Sequence, residues 1–166
     1  MDESNDQLSQ NAILLGERDY QAAIDIVIAQ AERELLIFDQ DLARGDYASI
    51  KRTELIRTFL AKSRTNKLTV IVHDASYFMQ SCPRLFGLLE IYGHSMTVYQ
   101  TNEEAKVAKD CFVIADQAHY IRRFHIDQAR FKYALNDIDT SAMLNMRFEE
   151  LLQATSHTIS PTSLGL

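Results

Sequence analysis

The octapeptide Lys109-Asp-Cys-Phe-Val-Ile-Ala-Asp116 sets an ammonium and a thiol two residues apart, ahead of an apolar run that ends in a carboxylate. Side chains two apart on a strand share a face, so Lys109 and Cys111 would stand side by side. A thiol next to an ammonium is acidified and becomes a nucleophile. The apolar neighbours Phe112 and Val113 point instead to burial, which raises a thiol's pKa, so Cys111 reads as a small core residue. Lys109 reads either as an anion anchor or as a solvated strand-end lysine.

Other residue types with chemical potential are scattered. His73-Asp74 closes an apolar run, at the strand end where α/β proteins place ligands. Adjacent residues in an extended chain face opposite ways, so the simpler reading is a turn residue followed by a helix-capping Asp74. His119 and His125 lie six residues apart, about 20 Å along a strand, too far for one metal ion. No metal or cofactor site is expected. Between Asp116 and Leu135 the cations Arg122, Arg123, Arg130 and Lys132 outnumber Asp116 and Asp127. This local basic excess marks an anion or partner site, with Lys109, Arg122 and Arg123 as candidate anion-binding residues, or else solvated strand faces with ion pairs. Nearby Tyr120, Phe124, Phe131 and Tyr133 have rings that could stack on bases, although their alternation suits a core. The phosphate loop, dinucleotide fingerprint, HExxH and GxSxG patterns are absent.

The elements that must position these residues follow from periodicity. Ala23, Ile24, Val27, Ile28 and Ala31 predict an amphipathic helix over 19–31. Glu34–Asp39 reads as a buried strand and 40–46 as a loop. A second helix is expected over 47–63, with Ile50, Leu55, Ile56, Phe59 and Leu60 facing inward. Lys67–His73 is rich in β-branched residues and reads as a strand. Pro83 and Gly93 bracket a third helix over 83–92. Further strands are expected at 95–99, 111–115, 119–124 and 130–135, and a final helix over 140–154. Alternation of this kind argues an α/β fold, a mixed sheet flanked by helices. Val113 and Ile114 fall on opposite faces of its central strand, so both should be buried.

The chain has 166 residues, enough for one domain on a prior of roughly 150. It is read as a flexible tail over 1–9, a domain over 10–155 and a second flexible tail over 156–166. Its net charge of −6 argues against unspecific grip on nucleic acid or anionic lipid, although a local basic patch can bind either. The acidic opening MDESNDQLSQ lacks the pattern of a secretory signal. No apolar run approaches the roughly 20 residues of a membrane helix. Two isolated cysteines, Cys82 and Cys111, fit reduced thiols. A cytoplasmic protein without membrane insertion is therefore expected.

With its elements in this order, the chain resembles one half of a phospholipase D superfamily domain, from about Tyr20 to Ala154. That family's signature is H-x-K-x4-D. Laid on this sequence, the His falls on Lys109, the Lys on Cys111 and the Asp on Asp116, which matches. Similar segments occur as uncharacterised bacterial domains, some behind acetyltransferase domains, an adjacency that transfers no acetyltransferase activity. In active members the resemblance implies an imidazole that attacks phosphorus and an ammonium that neutralises its oxygens. A protonated Lys109 is a poor nucleophile and Cys111 carries no fixed positive charge. The expectation is a non-catalytic, pseudoenzyme-like interaction or regulatory module. An anion-binding module for nucleic acid or a phosphorylated ligand is the alternative, and a phosphodiesterase with a rewired site a more distant one. Because the family's halves meet about a two-fold axis, the resemblance implies a homodimer with Lys109 and Cys111 near the axis.

Overall fold

The computed structural model describes residues 8–161. Along the chain run β1 (Leu14–Leu15), α1 (Glu17–Ala29), β2 (Glu34–Asp39), α2 (Ile50–Lys62), β3 (Lys67–Val72), α3 (Ser76–Ser81), α4 (Pro83–Ile91) and β4 (Met96–Thr101). A 3₁₀ turn (Glu104–Val107) then leads to β5 (Cys111–Ala115), β6 (His119–His125), β7 (Gln128–Ala134), α5 (Ile138–Gln153) and β8 (Thr155–Thr158). The eight strands form one sheet in the order β1-β7-β6-β5-β2-β3-β4-β8. Strands β2, β3 and β4 are parallel and joined by helical crossovers, while β5, β6 and β7 are antiparallel hairpin strands. The fold is thus the expected α/β mixed sheet between helices.

The apolar runs explain the layers. In β5, Val113 and Ala115 join one core with Ile24 and Val27 of α1, Ile56 and Phe59 of α2, and Leu85 and Leu88 of α4. Phe112 and Ile114 point the other way, into a smaller core closed by Leu144, Phe148 and Leu151 of α5. β5 is therefore buried on both sides, as a central strand with no polar alternation must be. It pairs with β2 in register Phe38↔Phe112 and Leu36↔Ile114, and with β6 in register Cys111↔Arg123 and Phe112↔Arg122.

Several boundaries differ from expectation. Helix α2 begins at Ile50, capped by the Ser49 hydroxyl, which accepts from Arg52 N–H at 3.1 Å. Ile50 is 59% exposed, not inward, because first-turn residues precede the packed face. Tyr47, placed by periodicity in that helix, is a buried loop residue instead. The short segment Ser76–Ser81, which buries Phe78, is helical. Residues 156–161 are not a tail: β8 pairs antiparallel with β4, Ile159 is buried, and its N–H donates to Val98 at 2.8 Å. A polar edge strand such as Thr-Ser-His-Thr shows no apolar alternation, so periodicity misses it. Leu8, assigned to the other tail, packs on the main core and accepts from the Tyr133 hydroxyl at 2.7 Å. The rest of the two expected tails, 1–7 and 162–166, lies outside the described residues.

Candidate functional site

The carboxyl ends of β2, β3 and β4 and the amino end of β5 converge on one rim of the sheet. Lys109 and Cys111 both reach this rim, but not as a pair on one strand. Residues 108–110 are irregular, and β5 starts at Cys111. Lys109 is exposed and makes no ion pair among the described residues; its carbonyl accepts from Ile126 N–H at 2.8 Å. Cys111 is 1% exposed. Its thiol faces the Asp39 carboxyl, with the rings of Tyr20 and Tyr47 nearby. Burial first, and the Asp39 charge second, push that thiol well above its usual range. A thiol so placed is neither a nucleophile nor a cation.

Asp39 is a group that residue patterns did not single out. Its carboxylate accepts from Leu42 N–H at 2.7 Å and from Asp41 N–H at 3.3 Å. Burial raises its pKa even so. Leu42 holds φ at 71° to make that bond, a left-handed conformation costly for leucine. The signal available in the sequence was an aspartate closing an apolar strand, Glu-Leu-Leu-Ile-Phe-Asp.

A strap covers the rim. Gln40 Nε2 donates to the carbonyls of Ala108 and Asp110, both at 3.0 Å. His73 lies beneath, with Nε2 at 2.7 Å from the Ala108 carbonyl and Nδ1 at 2.7 Å from the Thr101 hydroxyl. His73 is therefore a buried structural imidazole rather than a turn residue, and burial lowers its pKa. Asp74 does act at a helix start, accepting from Ser76 N–H at 2.9 Å. His119 and His125 bind locally, accepting from Asn136 and Asp127 N–H respectively. Among the described residues, no group of three or more His, Cys, Asp or Glu is arranged to hold a metal.

The basic excess of the third quarter of the chain divides between the two sheet faces. Arg123 is 0% exposed, grips Glu17 with two bonds of 2.8 Å and lies over the Tyr20 ring at 4.9 Å. It belongs to the α1 side, where its buried guanidinium pairs with a partly exposed carboxylate. Arg122 points to the α5 side, where its Nε donates to Asp110 at 3.0 Å. Arg147 of α5 binds the same carboxylate through both terminal nitrogens and lies over Phe112 at 5.6 Å. Lys109, Arg122 and Arg123 thus do not converge on one anion. Arg147 carries no pattern that links it to Asp110 in the sequence. Of the four rings, Tyr120, Phe131 and Tyr133 are buried and Phe124 is half-buried.

Asp116, which the resemblance would align with the motif aspartate, sits at the far end of β5. With Gln117 it forms a turn in which both residues have positive φ, 55° and 56°, and Ala118 N–H closes on the Ala115 carbonyl. Its carboxylate accepts from the N–H groups of Glu32, Arg33 and Glu34 at 2.8–2.9 Å. It staples the hairpin to the start of β2. Some 80 residues separate those partners, so no local pattern reveals them.

A family profile described as a domain of unknown function, DUF7931, matches residues 16–160. The chain belongs to this family. No curated protein matches it by sequence. Solved structures with the same fold include TrmBL2, an archaeal chromatin protein with a novel mode of DNA binding, at 11% identity and TM-score 0.64. That match covers 90% of this chain, which spans 55% of TrmBL2. Nuc from Salmonella typhimurium, a phospholipase D family member, aligns at 6% identity and TM-score 0.65, covering 90% of this chain and 98% of Nuc. NucT from Helicobacter pylori aligns at 12% identity and TM-score 0.58, covering 87% and 96%. The DUF7931 fold is therefore phospholipase D-like. Among the described residues no helix is long and apolar enough to cross a membrane.

Proposed function

We propose that this DUF7931 domain is a non-catalytic phospholipase D-like module that works through binding, as a homodimer in the cytoplasm. The observation that carries the reading is the state of Cys111. Where the resemblance asks for an exposed ammonium, the chain has a 1% exposed thiol facing Asp39. Where it asks for an imidazole, Lys109 stands alone. The His73 imidazole, close enough to feel the Lys109 charge, has both ring nitrogens engaged. Phosphoryl transfer by the two-residue route needs a nucleophile and a charge clamp on one phosphate, and a lone ammonium beside a buried thiol argues against that pairing.

The decisive experiment incubates the purified protein with bis-p-nitrophenyl phosphate, alongside size exclusion with light scattering. No turnover above buffer is expected from the natural chain or from Lys109→His combined with Cys111→Lys, since two side chains do not supply the supporting geometry. Turnover abolished by Lys109→Ala would overturn the non-catalytic reading. A mass of twice the 19.0 kDa chain is expected, and a monomer at all concentrations would remove the dimer.

A further inference from the structure

The β6–β7 hairpin carries a second feature, at the rim end of the sheet and on its α5 side. Alternation puts Arg122 and Phe124 of β6 on the face of Tyr120, and Arg130 and Lys132 of β7 on the face of Ala134, both members of the α5-side core. Register then makes a block: Arg122 pairs directly with Lys132, and Arg130 lies across from Phe124 next to the Arg123↔Phe131 pair. The Phe124 ring has the Arg122 guanidinium at 5.3 Å and the Arg130 guanidinium at 5.5 Å. Arg147 borders the block through Asp110, the carboxylate it shares with Arg122.

The charge on this face is unbalanced. Arg122 and Arg147 share the Asp110 carboxylate, and among the described residues neither Arg130 nor Lys132 has an ion-pair partner. Like charges directly opposite on a ladder repel and weaken the pairing. The only acid within the hairpin, Asp127, lies in its turn beside His125 at 3.9 Å. An anion across Arg122, Arg130 and Lys132 would relieve that repulsion. Arg130 is exposed, and Arg122, Phe124 and Lys132 are half-buried, so the block is open to a ligand. Its chemistry is specific in kind. Two guanidinium groups within 5.5 Å of one ring offer a π surface to bases as well as charge to phosphates.

We infer that this hairpin face binds single-stranded nucleic acid, with Arg122, Arg130 and Lys132 on the phosphates and the Phe124–arginine stack against bases. This names a partner class for the binding module proposed above, and rests on that reading. An acidic peptide would satisfy the charges but would leave the stack unused, so nucleic acid is the better fit.

Fluorescence polarisation with a labelled oligothymidylate tests the inference. Three phosphate contacts at about −0.7 each give a log–log salt slope near −2, so a fourfold rise in salt should weaken binding roughly 16-fold. Arg130→Glu with Lys132→Glu should weaken binding by about tenfold or more at low salt. The same charge change at Lys51→Glu with Arg64→Glu, on and after α2, should alter it little. Phe124→Leu should lower affinity without changing the slope. Thermal melts confirm that each variant is folded; should the double glutamate variant fail to fold, Arg130→Gln with Lys132→Gln takes its place. Absence of binding, equal loss in both charge-reversed variants, or displacement by polyglutamate as readily as by unlabelled oligothymidylate would overturn the inference. A denaturing gel of the same samples separates the two readings. An intact but unbound oligonucleotide defeats only the hairpin site, whereas protein-dependent cleavage defeats the non-catalytic reading.

Discussion

Replacing Asp116 by alanine should destabilise the domain strongly, although the residue lies at the opposite end of β5 from the rim. Three backbone N–H groups, of Glu32, Arg33 and Glu34, converge on its carboxylate at 2.8–2.9 Å. A hydrogen bond to a charged group contributes about 1.5–3 kcal/mol when shielded. Only the Glu34 bond is partly shielded; the other two amides are exposed and can turn to water, so those bonds are discounted to about 0.5 kcal/mol each for solvent screening. Alanine must also hold the positive φ that aspartate tolerates, at a cost of about 1 kcal/mol. The total is about 3.5–5 kcal/mol, which for a chain of this size lowers Tm by about 10 °C or somewhat more. Asparagine keeps the left-handed conformation and one acceptor oxygen, so Asp116→Asn should lose about half as much. The pH dependence has a definite sign. Burial raises the Asp116 pKa, but the three N–H donors and the Arg33 charge outweigh it and hold the group below its ordinary value. A depressed carboxylate contributes its full stability above the unfolded pKa of about 3.9 and loses it as pH falls through the folded value. The gap in Tm between the natural chain and Asp116→Asn should therefore be constant near neutrality and close below about pH 4. Calorimetric melts across that range measure both effects. An alanine variant melting within about 2 °C of the natural chain, or a gap insensitive to acid, would refute the staple.

Two further outcomes are expected. Aspartate at Val113 or at Ile114 should unfold the domain, because each lies in a different one of the two cores that sandwich β5 and an unpaired buried charge costs several kcal/mol, of the order of the whole stability; soluble, cooperatively melting variants at both positions would contradict the two-sided burial. Both thiols should resist maleimide in the native protein at mildly alkaline pH and react after denaturation, since burial pushes Cys82 up to about 11 and Cys111 well above its usual range; rapid native labelling of Cys111 would show an open rim.

What the sequence determined by itself is the layer plan and the central strands. Glu34–Asp39 and Cys111–Ala115 match their expected bounds because a continuous apolar run flanked by polar residues has one stable place, between two helix layers. Where packing decides, periodicity fails. Ile50, expected inward, is exposed and Tyr47, expected in the helix, precedes it because a cap at Ser49, not the apolar count, starts α2. The polar strand β8 exists only because β4 offers it an open edge. Tertiary structure alone decided the electrostatics of the basic segment. Arg122 and Arg123 are neighbours in sequence, yet pleating sends one to Asp110 and Arg147 on the α5 side and the other to Glu17 and Tyr20 on the α1 side. Their partners lie far off along the chain, as do those of Asp116. A carboxylate held by groups so distant in sequence acquires its role only when the sheet closes, because Coulomb attraction and hydrogen bonding act over a few ångströms of space, whatever the separation along the chain.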